Sequence, residues 1–121
     1  MKKGAITLAI SALFVGLAGP ASAGPGSTIS VRPNVVAAGH QVRISGSTPV
    51  SDCPAGDAAI LTSTAALFPP DGFGPAVPRN SSGAFSVVYR VPASTPAGLY
   101  QIGFRCGGGN VGVFASLRVT A

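Results

Sequence analysis

The chain has 121 residues, 46% of them hydrophobic and 9% charged, with eight basic residues against three acidic ones and a net charge of +5. That length suits one domain with a limited core and excludes a large multidomain enzyme. The six arginines stand singly along the sequence, which argues against nucleic-acid binding, because an electrostatic footprint needs several cations on one face.

Residues 1–23 carry the three parts of an export signal: Lys2 and Lys3, an apolar run from Ala5 to Ala18, and the small-residue site Ala21-Ser22-Ala23 after Gly19-Pro20. Cleavage before Gly24 is expected, leaving residues 24–121 as a single domain. The apolar run falls short of the roughly 20 residues a membrane span needs, so no stable membrane anchor is expected after cleavage. No cysteine ends the run, and residues 116–121 contain neither a hydrophobic tail nor a wall-sorting signal. Loss of the two lysines leaves six arginines against three aspartates, a net charge of +3, with no Lys or Glu remaining.

From Gly24 onward, short alternating segments are separated by Gly, Pro, Ser and Asn at intervals of roughly ten residues, the pattern of an all-β sandwich or barrel. No window supports a long amphipathic helix. Thr28 to Arg32 reads as the first strand, stopped by Pro33-Asn34. Gln41 to Ser45 sets Val42 and Ile44 against Gln41 and Arg43, giving one buried and one wet face. Ala58 to Thr64, with Ile60 and Leu61, is a third strand that extends towards Leu67 and Phe68. Pro69 to Asn80 holds four prolines and two glycines and reads as a long loop. Ala84 to Val91 aligns Phe85, Val87, Tyr89 and Val91. Leu99 to Cys106 aligns Tyr100, Ile102, Phe104 and Cys106 against Gln101, Gly103 and Arg105. Gly107-Gly108-Gly109-Asn110 reads as a flexible hairpin loop, and Val111 to Val119 closes the domain with Val111, Val113, Ala115, Leu117 and Val119 on one face. Such alternation predicts two sheets packed face to face.

Cys53 and Cys106 are the two cysteines of the chain. In an exported domain this small they are expected to form a disulfide. A reactive thiol or half a metal site is the rival reading, but two cysteines and one histidine without Cys-x-x-Cys spacing make a poor ligand set. No metal or cofactor is therefore expected. His40 follows Gly39 at the start of a strand, where a catalytic base would need a nucleophile and an orienting acid that the sequence does not assign. No serine sits in a Gly-x-Ser-x-Gly elbow. The single histidine also fails a blue-copper site, which needs two. These absences predict a protein that is not an enzyme.

Pro92-Ala93-Ser94-Thr95-Pro96-Ala97-Gly98-Leu99-Tyr100, preceded by Gly83-Ala84-Phe85-Ser86 and followed by a strand ending at Cys106, resembles the second half of bacterial immunoglobulin-like domains. The Ala-, Gly-, Pro-, Val- and Arg-rich composition resembles that of actinobacterial proteins. The resemblance implies an immunoglobulin-like β-sandwich of about seven strands with one disulfide. It departs from antibody-type domains in having no Trp and in placing Phe104, not Tyr, two residues before the second cysteine. On that scaffold the Gly46–Asp57 connection and the loop after Cys106 lie at the same end, so the disulfide is expected to tie two end loops together.

That stapled end is one candidate binding site, built from Asp52, Asp57, Arg105, Gly107, Gly108, Gly109 and Asn110. The alternative is that the aspartates and glycines are ordinary turn residues. Phe68 and Phe73, in the proline-rich stretch, are a candidate apolar patch, or else fold back over an open sheet edge. The expected function is a secreted domain, extracellular or loosely associated with the cell envelope, that binds an unknown protein or envelope component. Two alternatives remain at this level: a small-molecule carrier resembling the neocarzinostatin apoprotein family, with a cleft lined by Phe85, Phe104 or Phe114, and an extracellular protease inhibitor.

Overall fold

A computed structural model describes residues 26–121; the export signal falls outside the described residues. The strands are β1 (Thr28–Arg32), β2 (Val35–Ala37), β3 (Gln41–Ser47), β4 (Ala59–Thr62), β5 (Phe73–Val77), β6 (Ala84–Arg90), β7 (Gly98–Cys106), β8 (Gly109–Asn110) and β9 (Ala115–Thr120). They form a three-stranded sheet, β1-β3-β6, and a larger sheet with the order β2-β9-β7-β4-β5, to which β8 adds a short pairing with β7. All pairs are antiparallel except β2 with β9.

The period-2 pattern explains the packing. Ile29 and Val31 of β1, Val42 and Ile44 of β3 and Phe85 of β6 point inward from one sheet. Tyr100, Ile102 and Phe104 of β7, Leu61 of β4 and Leu117 and Val119 of β9 meet them from the other. Phe85 and Phe104 join the two layers edge to face, with centroids 4.9 Å apart and planes at 66°, an arrangement favoured by the ring quadrupoles. Tyr100 donates its hydroxyl to the Pro96 carbonyl at 2.6 Å, which fastens the turn into β7 at the Gly98-Leu99-Tyr100 element.

Four expectations need correction. The segment expected as a loop, Pro69 to Asn80, contains β5. Its Pro75 is tolerated because β5 pairs only with β4, at the margin of the sheet, where a missing N–H costs no ladder bond. The third strand ends at Thr62, and Leu67 and Phe68 lie in the following turns, where both amides donate to the Thr64 carbonyl. β2 was not foreseen: after Pro33-Asn34 the chain crosses to the other sheet for only three residues, too few to carry a periodic signal. The closing strand begins at Ala115 instead of Val111. Gly112 adopts φ 90°, a left-handed conformation that interrupts the extended chain.

The glycine loop is tighter than expected. Gly107 and Gly108 have φ of 62° and 84°, which is the requirement of a two-residue hairpin turn with both central residues left-handed. Gly109 then pairs with Cys106 and Asn110 with Arg105.

Leu67 and Phe68 plug the side of the sandwich where β5 and β6 face each other. Both are buried. The Phe68 ring packs edge-on against Tyr89, centroids 4.8 Å apart at 83°, and the Tyr89 hydroxyl donates to the Leu67 carbonyl at 2.6 Å. Burial pushes the Tyr89 phenol above its usual pKa, because the interior disfavours the phenolate.

Candidate functional site

The disulfide lies where the scaffold argument placed it. Cys53 sits in the β3–β4 connection and Cys106 at the last position of β7, with Cα atoms 5.3 Å apart. Pro49 organises the connection by accepting from the amides of Asp52 and Cys53 at 3.0 and 2.9 Å. Arg79, from the segment after β5, donates Nη2 to the Cys53 carbonyl at 2.8 Å. The staple therefore gathers three connections at one end of the sandwich.

The side chains at this end make separate contacts within the fold. Asp52 turns towards the start of β1 and accepts a hydrogen bond from Ser27 Oγ, and Ser27 in turn contacts Thr48 Oγ1 at 3.1 Å. Both hydroxyl residues are buried, so Asp52 anchors the chain entering β1. Asp57 lies on the other side, next to the Gly107 turn. Arg105 closes the hairpin by donating Nη2 to the Gly108 carbonyl at 2.8 Å, and its guanidinium stands 5.9 Å from the centre of the Phe73 ring, within cation–π range. Gly109 and Asn110 belong to the ladder of β8. Among the described residues, no three His, Cys, Asp or Glu side chains group as metal ligands.

The candidate apolar patch separates in the same way. Phe68 is buried against Tyr89 and cannot contact a partner, because filling the gap between the sheets removes more apolar surface from water than a solvent-facing position would. Phe73 is 48% exposed and remains on the surface.

A surface that sequence reasoning missed surrounds Phe73. Seven large apolar side chains are exposed among the described residues, and five of them, Val35, Ile60, Phe73, Leu99 and Phe114, belong to the outer side of the larger sheet or to the approach to it. Register places them in two groups on that side, Val35 and Leu99 flanking Arg118, and Ile60, Phe73 and Phe114 around Gly103 and Thr62, with the hydrogen-bonded Gln101–Ser116 pair in the row between. Val35 is opposite Arg118 and Arg118 is opposite Leu99; Ile60 is opposite Arg105, and Thr62 is opposite both Phe73 and Gly103. The Phe114 ring lies across Gly103, where a side chain at that position would sit. No Asp or Glu occurs in any strand of this sheet. The signal was present in the sequence as Leu99 and Ile60, large apolar residues at outward positions of alternating strands. It was masked because the pairing that joins them is set by strand order.

No protein-family model and no curated protein matches the chain. Solved structures do match. The adhesin InvE of Yersinia pseudotuberculosis superposes with a TM-score of 0.58 at 20% identity, covering 78% of this chain and 26% of that one. The Escherichia coli adhesin FdeC gives 0.60 at 16% identity, covering 79% and 31%. The chain has an immunoglobulin-like fold. The alkylpurine DNA glycosylase AlkC of Pseudomonas fluorescens, bound in its structure to DNA with an abasic-site analogue, gives 0.53 at 13% identity, covering 79% and 31%. This chain therefore spans about a third or less of each of these three structures. The likenesses establish an immunoglobulin-like β-sandwich, and sandwiches of this kind host many activities. Its resemblance to actinobacterial domains and to neocarzinostatin-type carriers gains no support from these matches.

Proposed function

We propose that this is an exported, non-enzymatic interaction domain of the cell envelope or extracellular space, docking a protein partner on the outer side of the β2-β9-β7-β4-β5 sheet. The observation that carries the reading is the exposed group of Ile60, Phe73 and Phe114 around Gly103 and Thr62, with Val35 and Leu99 exposed two rows away on the same side. Large apolar side chains left exposed in a group on one face of a small domain are costly in water and mark an interaction site. Arg105 and Arg118 stand among these residues without a strand carboxylate, so the partner's complementary surface is apolar with acidic groups. Arginine and aromatic residues set in an apolar patch are the usual anchors of protein interfaces. The adhesin neighbours are consistent with such a role.

The carrier alternative has less support, because the space between Phe85 and Phe104 is filled by their own contact and a carrier needs a cavity there. The test compares wild-type bait at micromolar concentration with Leu99→Asp and Ile60→Asp in envelope extract from the source cells. The expected result is one partner retained by wild type and lost with both variants, while Asp57→Ala retains it. Retention of nothing by wild type, or equal retention by all forms, contradicts the reading.

A further inference from the structure

The arginines that stand singly in the sequence are gathered by the fold of the smaller sheet. Arg32 of β1 is directly opposite Arg43 of β3, Arg43 is opposite Val88 of β6, and Arg90 is opposite Gln41 one row further along. All three arginines are exposed. The neighbouring rows on the same side are Ser30, Ser45 and Ser86, then Thr28, Ser47 and Ala84. No Asp or Glu occurs in β1, β3 or β6. The outer side of this sheet is therefore cationic at one end and lined with hydroxyls along the rest.

Like charges directly opposite on adjacent strands are destabilising, so an anion bound at this end of the sheet offsets their repulsion as well as making new contacts. Two of the three guanidinium groups are oriented in advance. Arg43 donates Nη1 to Ser86 Oγ at 2.9 Å, and Arg90 donates Nη1 to the Gly39 carbonyl at 2.6 Å. Such anchoring reduces the ordering cost of binding. The hydroxyl rows continue around the free edge of β1 into an open groove of about 1220 Å³, lined by Thr28, Ser30, Arg32, Asn34, Gln101 and Ser116 among others.

We propose that this basic, hydroxyl-lined surface binds a polysaccharide bearing carboxylates. A guanidinium edge matches the two oxygens of a carboxylate, and the Ser, Thr, Asn and Gln groups supply the paired donors and acceptors that sugar hydroxyls need. Single-stranded nucleic acid fits less well, because no aromatic side chain points outward from β1, β3 or β6 to stack successive bases and Phe114 is the one aromatic lining the adjoining groove. A protein partner fits poorly as well, since Val88 is the one large apolar residue on the strands of this side that is exposed and interfaces need an apolar centre. The three arginines lie on the other sheet from the apolar surface, although the groove shares Phe114 with it, and the proposal does not depend on that reading.

The test measures binding of the full chain to polygalacturonate in low salt, with neutral dextran, poly-L-glutamate and single-stranded DNA as parallel probes. Polygalacturonate is expected to bind, with dextran inert and the other polyanions weaker. Arg32→Gln and Arg43→Gln each weaken binding about tenfold, the loss of one charge-assisted pair, whereas Arg118→Gln on the other sheet removes the same charge with less than about twofold effect. Separately, Arg32→Gln holds or raises the thermal midpoint, since it removes a like-charge contact. The proposal is overturned by an absence of polygalacturonate binding, by equal weakening in all three variants, by equal or tighter binding of poly-L-glutamate or DNA, or by a lowered midpoint in Arg32→Gln.

Discussion

Cys53→Ala/Cys106→Ala is expected to lose about 4 kcal/mol of stability, because the bond closes a loop with a sequence separation of 53 residues and the chain-entropy estimate for that length is of this size. For a domain of about 100 residues the loss corresponds to a fall in midpoint of roughly 20 °C. The loss has a location as well as a magnitude. The inward residues that join the sheets, such as Ile44, Ile102 and Leu117, are fully buried between the two layers, whereas the β3–β4 connection is held by Cys53, by Arg79 on its carbonyl and by the Asp52–Ser27 contact. Hydrogen exchange of the reduced protein should show residues 49–57 and 106–111 opening first, with residues 42–46 and 100–104 still protected. Loss of protection at all sites together would mean that the bond holds the sheets and not the end loops.

Phe104→Ala is expected to cost about 3–5 kcal/mol, the range for truncating a buried aromatic. Phe104 is fully buried, opposite Leu61 on β4, and its ring carries the contact with Phe85 between the two sheets. Its removal leaves a cavity bounded by two β-sheets, which cannot collapse without disturbing several ladders. Phe104→Leu keeps most of the volume and should lose less than half as much. Urea unfolding measures both, and an unchanged slope with a shifted midpoint identifies the effect as stability. Since small domains are stabilised by only about 5–15 kcal/mol in total, combining Phe104→Ala with loss of the disulfide should leave little folded protein.

Comparison of the strands with their sequence signals shows what a single chain reveals. β3, β6 and β7 were legible because apolar residues recur at every second position, Val42 and Ile44, Phe85, Val87 and Tyr89, and Tyr100, Ile102 and Phe104, and β1 because Pro33 bounds it. β5 was hidden because Pro75 argues against a strand unless its marginal position is known. The stapled end was foreseen as a place, since both cysteines flank identifiable strands. Its chemistry was not, because Asp52 and Arg105 spend their polar groups on Ser27 and on the Gly108 carbonyl, contacts that only the folded chain brings about. The arginines show the same limit in the opposite direction. Residues 32, 43 and 90 are separated in sequence, and only the β1-β3-β6 register makes them neighbours. Surface sites on sheets are written across strands, whereas periodicity is read along them.

The central claim is that the larger sheet's outer side is the docking surface. Its most direct measurement is site-specific photocrosslinking in envelope extract, with the reactive group placed at Leu99 and, as the control on the other sheet, at Val88, both exposed. One discrete adduct with a protein is expected from Leu99, with none from Val88. Adducts from Val88 alone, or from neither position, would contradict the account.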